Sequence, residues 1–135
     1  MAVEEEYLDV LQNIEFAIVS VYRDHPEMVD GHVIWALEQV IGSYREETAG
    51  RTPEEPAVAS PVEAALYRAI RTVCQWRLGR IAPEDAEAAG LGPAPAPVRI
   101  EEILLCLKRI RKSVTGWNRR GGQRGYLSFI VQYVK

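Results

Sequence analysis

Cations crowd the last third of this chain. Lys108, Arg109, Arg111 and Lys112 stand within five positions, and Arg119, Arg120 and Arg124 follow among Gly121, Gly122 and Gly125. Trp117 and Tyr126 border the second group. Guanidinium groups fork onto phosphate oxygens, glycines leave backbone N–H groups approachable, and flat rings stack on unpaired bases. Lys108, Arg109, Lys112, Trp117, Arg119, Arg120, Arg124 and Tyr126 are therefore the residues through which this sequence could hold a phosphate-bearing ligand or a nucleic acid. On a helix, Lys108 and Lys112 stack one turn apart with Arg109 beside them, while Arg111 turns nearer the apolar seam. Cations near a helix C-terminus also suit its dipole. The competing reading is a solvated helix face and a glycine-containing turn, whose bases pair with acids from the first half of the chain.

A second cluster holds both histidines. His25 and His32 stand among Asp24, Glu27 and Asp30, and imidazole with carboxylate can bind zinc or another divalent ion. Seven positions across a turn do not make a metal motif, however. The plainer reading has Asp24 and His25 capping a first helix, Asp30 capping a second and His32 on the surface, so no cofactor is expected. Glu15 interrupts the apolar run from Ile14 to Tyr22. Buried and unpaired it would be costly, so an arginine partner is expected from Arg77, Arg109 or Arg111. The acids Glu4, Glu5, Glu6 and Asp9 superficially resemble the carboxylate rows of helical metal-dependent nucleotide hydrolases. The second helix offers only Glu38 in reply, and a dipole-friendly first turn explains them better. There is no nucleophile elbow, phosphate-binding loop, HExxH or dinucleotide fingerprint. Cys74 and Cys106 lie in apolar helical patterns and read as buried free thiols.

These side chains need elements to position them, and the spacing of apolar residues supplies helices. Tyr7, Leu11, Ile14, Ile18 and Val21 alternate spacings of 4 and 3, which predicts a helix over 5–23 that ends before Pro26. Val33, Leu37, Val40 and Tyr44 predict a second over 31–47, joined to the first by a turn short enough to make them antiparallel neighbours. Ser60, Pro61 and Glu63 form a capping box ahead of a third helix, 61–78, whose stripe is Val62, Leu66, Ala69 and Val73. The most regular seam is Ile100, Ile103, Leu107, Ile110, Val114 and Trp117, in a fourth helix over 99–118. Residues 124–134 suit a short helix better than a strand, because no partner strand is visible. Segments 48–60 and 80–97 are irregular, with one short helical turn near 82–88 and a polyproline strap at Pro93, Pro95 and Pro97. The expected architecture is all-α: one domain, 1–135, of four main helices and a short C-terminal one.

Composition narrows the function classes. With 135 residues, 47% hydrophobic, the chain can bury a core without disulfides or metals. The longest apolar stretch, Phe16 to Val19, is far too short to span a membrane. The acid-rich start resembles neither a signal nor a transit peptide, so a cytoplasmic location is expected. The net charge of −3 hides a strong polarity. Residues 1–63 carry 14 acids and 3 bases, whereas 99–135 carry 9 bases and 2 acids. Arginines outnumber lysines 13 to 3, a bias that warns against over-reading any single arginine. The first functional expectation is a non-enzymatic interaction module that self-associates as a dimer, because the second half of the first helix is apolar on almost all sides. Trp35, offset from its stripe, could mark that contact face. The alternative is nucleic-acid or phosphate binding through the basic helix and the glycine–arginine turn. An enzyme is the least expected reading, and no family resemblance emerges.

Overall fold

The structure, a computed structural model, describes residues 2–134, with side chains described from 7 to 134. Its elements are α1 (Ala2–Asp24), α2 (Asp30–Thr48), α3 (Pro61–Arg77), α4 (Pro83–Ala88), α5 (Ile100–Gly121) and α6 (Gly125–Tyr133), with a 3-10 turn at Gly122–Arg124 before the last. No strand occurs among the described residues, so the all-α expectation holds, with α4 as the short helical turn and α6 as the C-terminal helix. The side chains of Glu4, Glu5, Glu6 and Lys135 lie outside the described residues.

The periodic apolar positions form one core. Ile14 and Ile18 of α1, Leu37 and Ile41 of α2, Leu66 and Ile70 of α3, and Ile103, Leu107 and Ile110 of α5 are all enclosed. Each such side chain contributes about 1.5–3 kcal/mol relative to exposure. One packing expectation is corrected. α1 and α2 are not close neighbours: each lies against both α3 and α5, and α6 folds back on α5 while touching α1 and α2. The linking turn carries the fully buried Met28, so the connection passes over the end of the core instead of closing a tight helical hairpin.

The helix ends differ from expectation in informative ways. Ser60 Oγ does accept the Glu63 amide, at 3.2 Å, but the Glu63 carboxylate takes the Ala59 amide, at 2.7 Å, and not that of Ser60. At α2 the cap is Val29, not Asp30. A valine side chain cannot accept, so His32 reaches back and its Nδ1 accepts the Val29 amide at 3.0 Å. His32 is accordingly half-buried, not a surface residue. Asp30 is released for another task, described below. Between α3 and α5 the proline-rich strap is tied down: Trp76 Nε1 donates to the Gly92 carbonyl at 3.1 Å, and the Val98 amide donates to the Arg77 carbonyl at 2.9 Å.

Buried polar groups are few. Arg77 donates to Asn13 Oδ1 at 2.8 Å and to the Asp9 carboxylate, residues one turn apart on α1. Cys74 and Cys106 are free and buried. Burial, the largest influence, pushes the Cys106 thiol up to about 12 and raises Cys74 as well, so neither supplies a thiolate at neutral pH.

Candidate nucleic-acid interface

The buried seam of α5 is Ile103, Cys106, Leu107, Ile110 and Val114. Helical geometry therefore sends the intervening positions outward. Lys108, Lys112 and Arg119 fall on one outer stripe with Thr115 between them, and Arg109 and Arg120 fall on the adjoining stripe with Gly116. Together with Arg111 these side chains line a shallow open hollow of about 900 Å³, to which no carboxylate of the described residues contributes. Arg109, Lys112, Arg119, Arg120 and Arg124 are exposed, and Lys108 and Arg111 are half-buried. At 1.5 Å per residue, the span from 108 to 120 is about 18 Å.

No acid of the first half forms an ion pair with this face among the described residues. Among the described residues, their ion pairs run from Asp9 to Arg77, from Glu46 to Arg51 and from Glu47 to Arg80. None reaches Lys108, Arg109, Arg111, Lys112, Arg119, Arg120 or Arg124. The expectation that these bases pair with the acidic half is therefore corrected for the described residues. A second correction concerns the turn. The helix expected over 99–118 runs three residues further, to Gly121, and breaks at Gly122, where φ is +77°. Arg119 and Arg120 thus lie on the last turn of α5, not in a loop, and only Arg124 belongs to the short 3-10 turn.

The two aromatic residues separate. Trp117 is half-buried and stacks on Phe129 of α6, with ring centroids 5.0 Å apart, and the Arg120 guanidinium lies over its ring at 5.3 Å. Tyr126, expected at the border of the site, is instead fully buried and faces no ligand. Its hydroxyl donates to Glu15 Oε2 at 3.1 Å. Its amide donates to Asp30 Oδ2 at 2.9 Å, and the next amide, of Leu127, donates to Asp30 Oδ1 at 3.2 Å. Asp30 is therefore the N-terminal cap of α6, supplied from α2. The Arg124 side chain makes no cap of its own. One carboxylate so fixes the helix that follows the basic turn.

Glu15 was expected to meet an arginine and does not. It is buried, bonded to Tyr126, and its Oε1 has no partner among the described residues. Desolvation, the largest influence, raises its carboxyl above the ordinary 4.5, and the Tyr126 hydroxyl and the Arg109 charge only partly oppose it. The folded chain then holds this proton more tightly than the unfolded chain, so stability falls as pH rises from 4.5 through the raised value. Glu15→Gln should flatten that segment of the profile. Urea unfolding at pH 5 and pH 7 checks it: wild type should lose more stability than the variant across that interval. Parallel profiles would refute the assignment.

His25 Nδ1 lies 3.4 Å from Glu27 Oε2, while His32 is occupied in capping, and no three ligand-type side chains converge among the described residues. No described helix is long and apolar enough to cross a membrane. Fold and surface together define the class: an all-helical bundle with a basic face that is not ion-paired among the described residues. Compared with known proteins, the chain matches no family model, no curated protein and no solved structure.

What the sequence reading missed lies on α6. Phe129 and Tyr133 are exposed, 39% and 50%, and their rings stack at 5.7 Å. The signal was present: Tyr126, Phe129 and Tyr133 follow spacings of 3 and 4. The apolar neighbours Leu127, Ile130 and Val134 mask it, because they mark the buried side of the same short helix.

Proposed function

We propose that this protein binds nucleic acid through the phosphate backbone, using the outer face of α5 and the turn that follows. The carrying observation is the run of seven cations from Lys108 to Arg124 with no ion-pair partner among the described residues. Unpaired surface cations on one helix face concentrate positive potential, and a polyanion that displaces its counterions onto them binds with steep salt dependence. The net charge of −3 is no objection. Fourteen of the 19 acids lie in residues 1–63, and the two on α5, Glu101 and Glu102, stand in its first turn, away from the cations, so the basic face is oriented toward the ligand.

A self-associating interaction module remains the second reading, supported by one feature. Phe16 is 49% exposed beside an apolar groove formed by Ala17, Ala65, Ala69, Val73 and Leu91. The broader argument for self-association has less to draw on. Ile14, Ala17, Ile18, Val19 and Val21 are buried within the chain itself, and Trp35 packs against its core.

The test is fluorescence anisotropy with a labelled 20-nucleotide strand and the matching duplex. Affinity should drop steeply, on the order of 100-fold or more, between 50 and 200 mM salt. Arg119→Ala/Arg120→Ala/Arg124→Ala, all at exposed positions, should weaken binding about 10-fold and make the salt dependence shallower. Salt-insensitive binding, or a triple variant that binds like wild type, would overturn the proposal.

A further inference from the structure

We infer that the aromatic column of half-buried Trp117 and exposed Phe129 and Tyr133 stacks unpaired bases, so that the preferred ligand is a single strand. The inference rests on the proposed phosphate grip of α5 and goes beyond it by naming the form of the nucleic acid. Three rings stand in file across two helices. Trp117 and Phe129 stack at 5.0 Å with 15° between their planes, and Phe129 and Tyr133 at 5.7 Å with 8°. The column is held in place before any ligand arrives. Phe129 also leans on the buried Tyr126 ring, at 6.4 Å, and Tyr126 is anchored by Asp30 and Glu15.

The two rings of α6 are not packed into the core. On α6 the apolar side chains of Tyr126, Leu127 and Ile130 turn inward, whereas Phe129 and Tyr133 remain 39% and 50% exposed, with their rings stacked on each other. Charge complementarity decides the occupant. Arg120 lies on the Trp117 ring, and Trp117 itself lines the cation-rich hollow of α5. An apolar protein helix would gain nothing from those guanidinium groups and would have to desolvate them. A single strand offers both parts at once: anionic phosphates for α5, and flat faces that extend a stack of rings from its open end at Tyr133. In a duplex the bases are already stacked on one another, so the column has no face to receive.

The experiment compares dT20, a 20-base-pair duplex and heparin, a polyanion without bases. Wild type should bind dT20 about 10-fold tighter than the duplex. Phe129→Ala/Tyr133→Ala should remove that preference, weakening dT20 by about 10-fold while leaving duplex and heparin unchanged. Tyr133→Ala alone, at the most exposed ring, should give part of the loss, and Tyr133→Trp should restore it. Far-ultraviolet circular dichroism confirms that each variant keeps its helices. Equal binding of dT20 and duplex, unaltered by the double variant, would sink the stacking inference and leave the basic face standing. Failure to bind all three ligands would overturn the basic face and the stacking with it.

Discussion

Replacing Asp30 with alanine is expected to cost about 3 kcal/mol of folding stability and about 10 °C in Tm. Its carboxylate is completely enclosed and receives the amides of Tyr126 and Leu127, the second and third residues of α6. Those N–H groups point out of a helix end and have no partner within the helix. Alanine would strand both in the interior, and each stranded donor costs about 1–3 kcal/mol. The loss falls short of the upper sum because the carboxylate is itself uncomfortable there. Burial, the largest influence, raises its proton affinity above the ordinary 3.8, against the pull of the two amides. Asp30→Asn keeps one acceptor oxygen and should cost about half as much. Urea unfolding of the three proteins checks the order wild type, asparagine, alanine. A deficit for alanine below about 0.5 kcal/mol, the level of an ordinary surface change, would mean that Asp30 does not hold α6. The consequence reaches the proposed site, because α6 carries Phe129 and Tyr133. A variant whose last helix frays should lose the preference for single strands before it loses affinity for heparin.

The helices were legible because their evidence is local. The alternating spacing from Ile100 to Val114 fixes which face of α5 is buried, and therefore which face carries Lys108, Lys112, Arg119 and Arg120. Ser60 and Pro61 likewise announced the start of α3 within four residues. The misplaced features were those set by contacts distant in sequence. Asp30 sits where an N-cap should, and nothing nearby reveals that Tyr126, 96 residues away, will claim its carboxylate. Tyr126 beside three glycines and an arginine has the composition of a loop aromatic, and only the return of α6 against α1 and α2 buries it. Glu15 was matched to an arginine on the grounds of charge, while the structure answers it with a tyrosine hydroxyl and leaves one oxygen bare. Charge separation along the chain gave no measure of pairing either. Asp9 and Glu47 are engaged by Arg77 and Arg80, and Glu46 by its near neighbour Arg51, so among the described residues no first-half acid pairs with the basic end.

The tight join between α5 and α6 yields the second large effect. Gly125→Ala is expected to cost about 3 kcal/mol, the upper end for forcing extra volume into a packed site. The reason is space, since the backbone of Gly125 is ordinary right-handed helix, with φ −54°. A Cβ there would press into the Trp117 carbonyl, and a backbone atom cannot swing aside as a side-chain tip can. Gly121 supplies the contrast four residues earlier. A Cβ added to it meets nothing within 4 Å, so Gly121→Ala should be neutral or mildly stabilising, by up to about 1 kcal/mol, as expected from helix propensity alone. Two identical substitutions on either side of one turn thus differ by about 3 kcal/mol or more. Thermal unfolding of both variants reads the difference, and near-ultraviolet circular dichroism reads its local cause, because prying α5 from α6 must separate the Trp117 and Phe129 rings. A Gly125→Ala protein as stable as wild type, with its aromatic signal intact, would show that the two helices do not meet this closely. The ring column, which depends on that approach, would then lose its foundation, while the cations of α5 would keep theirs.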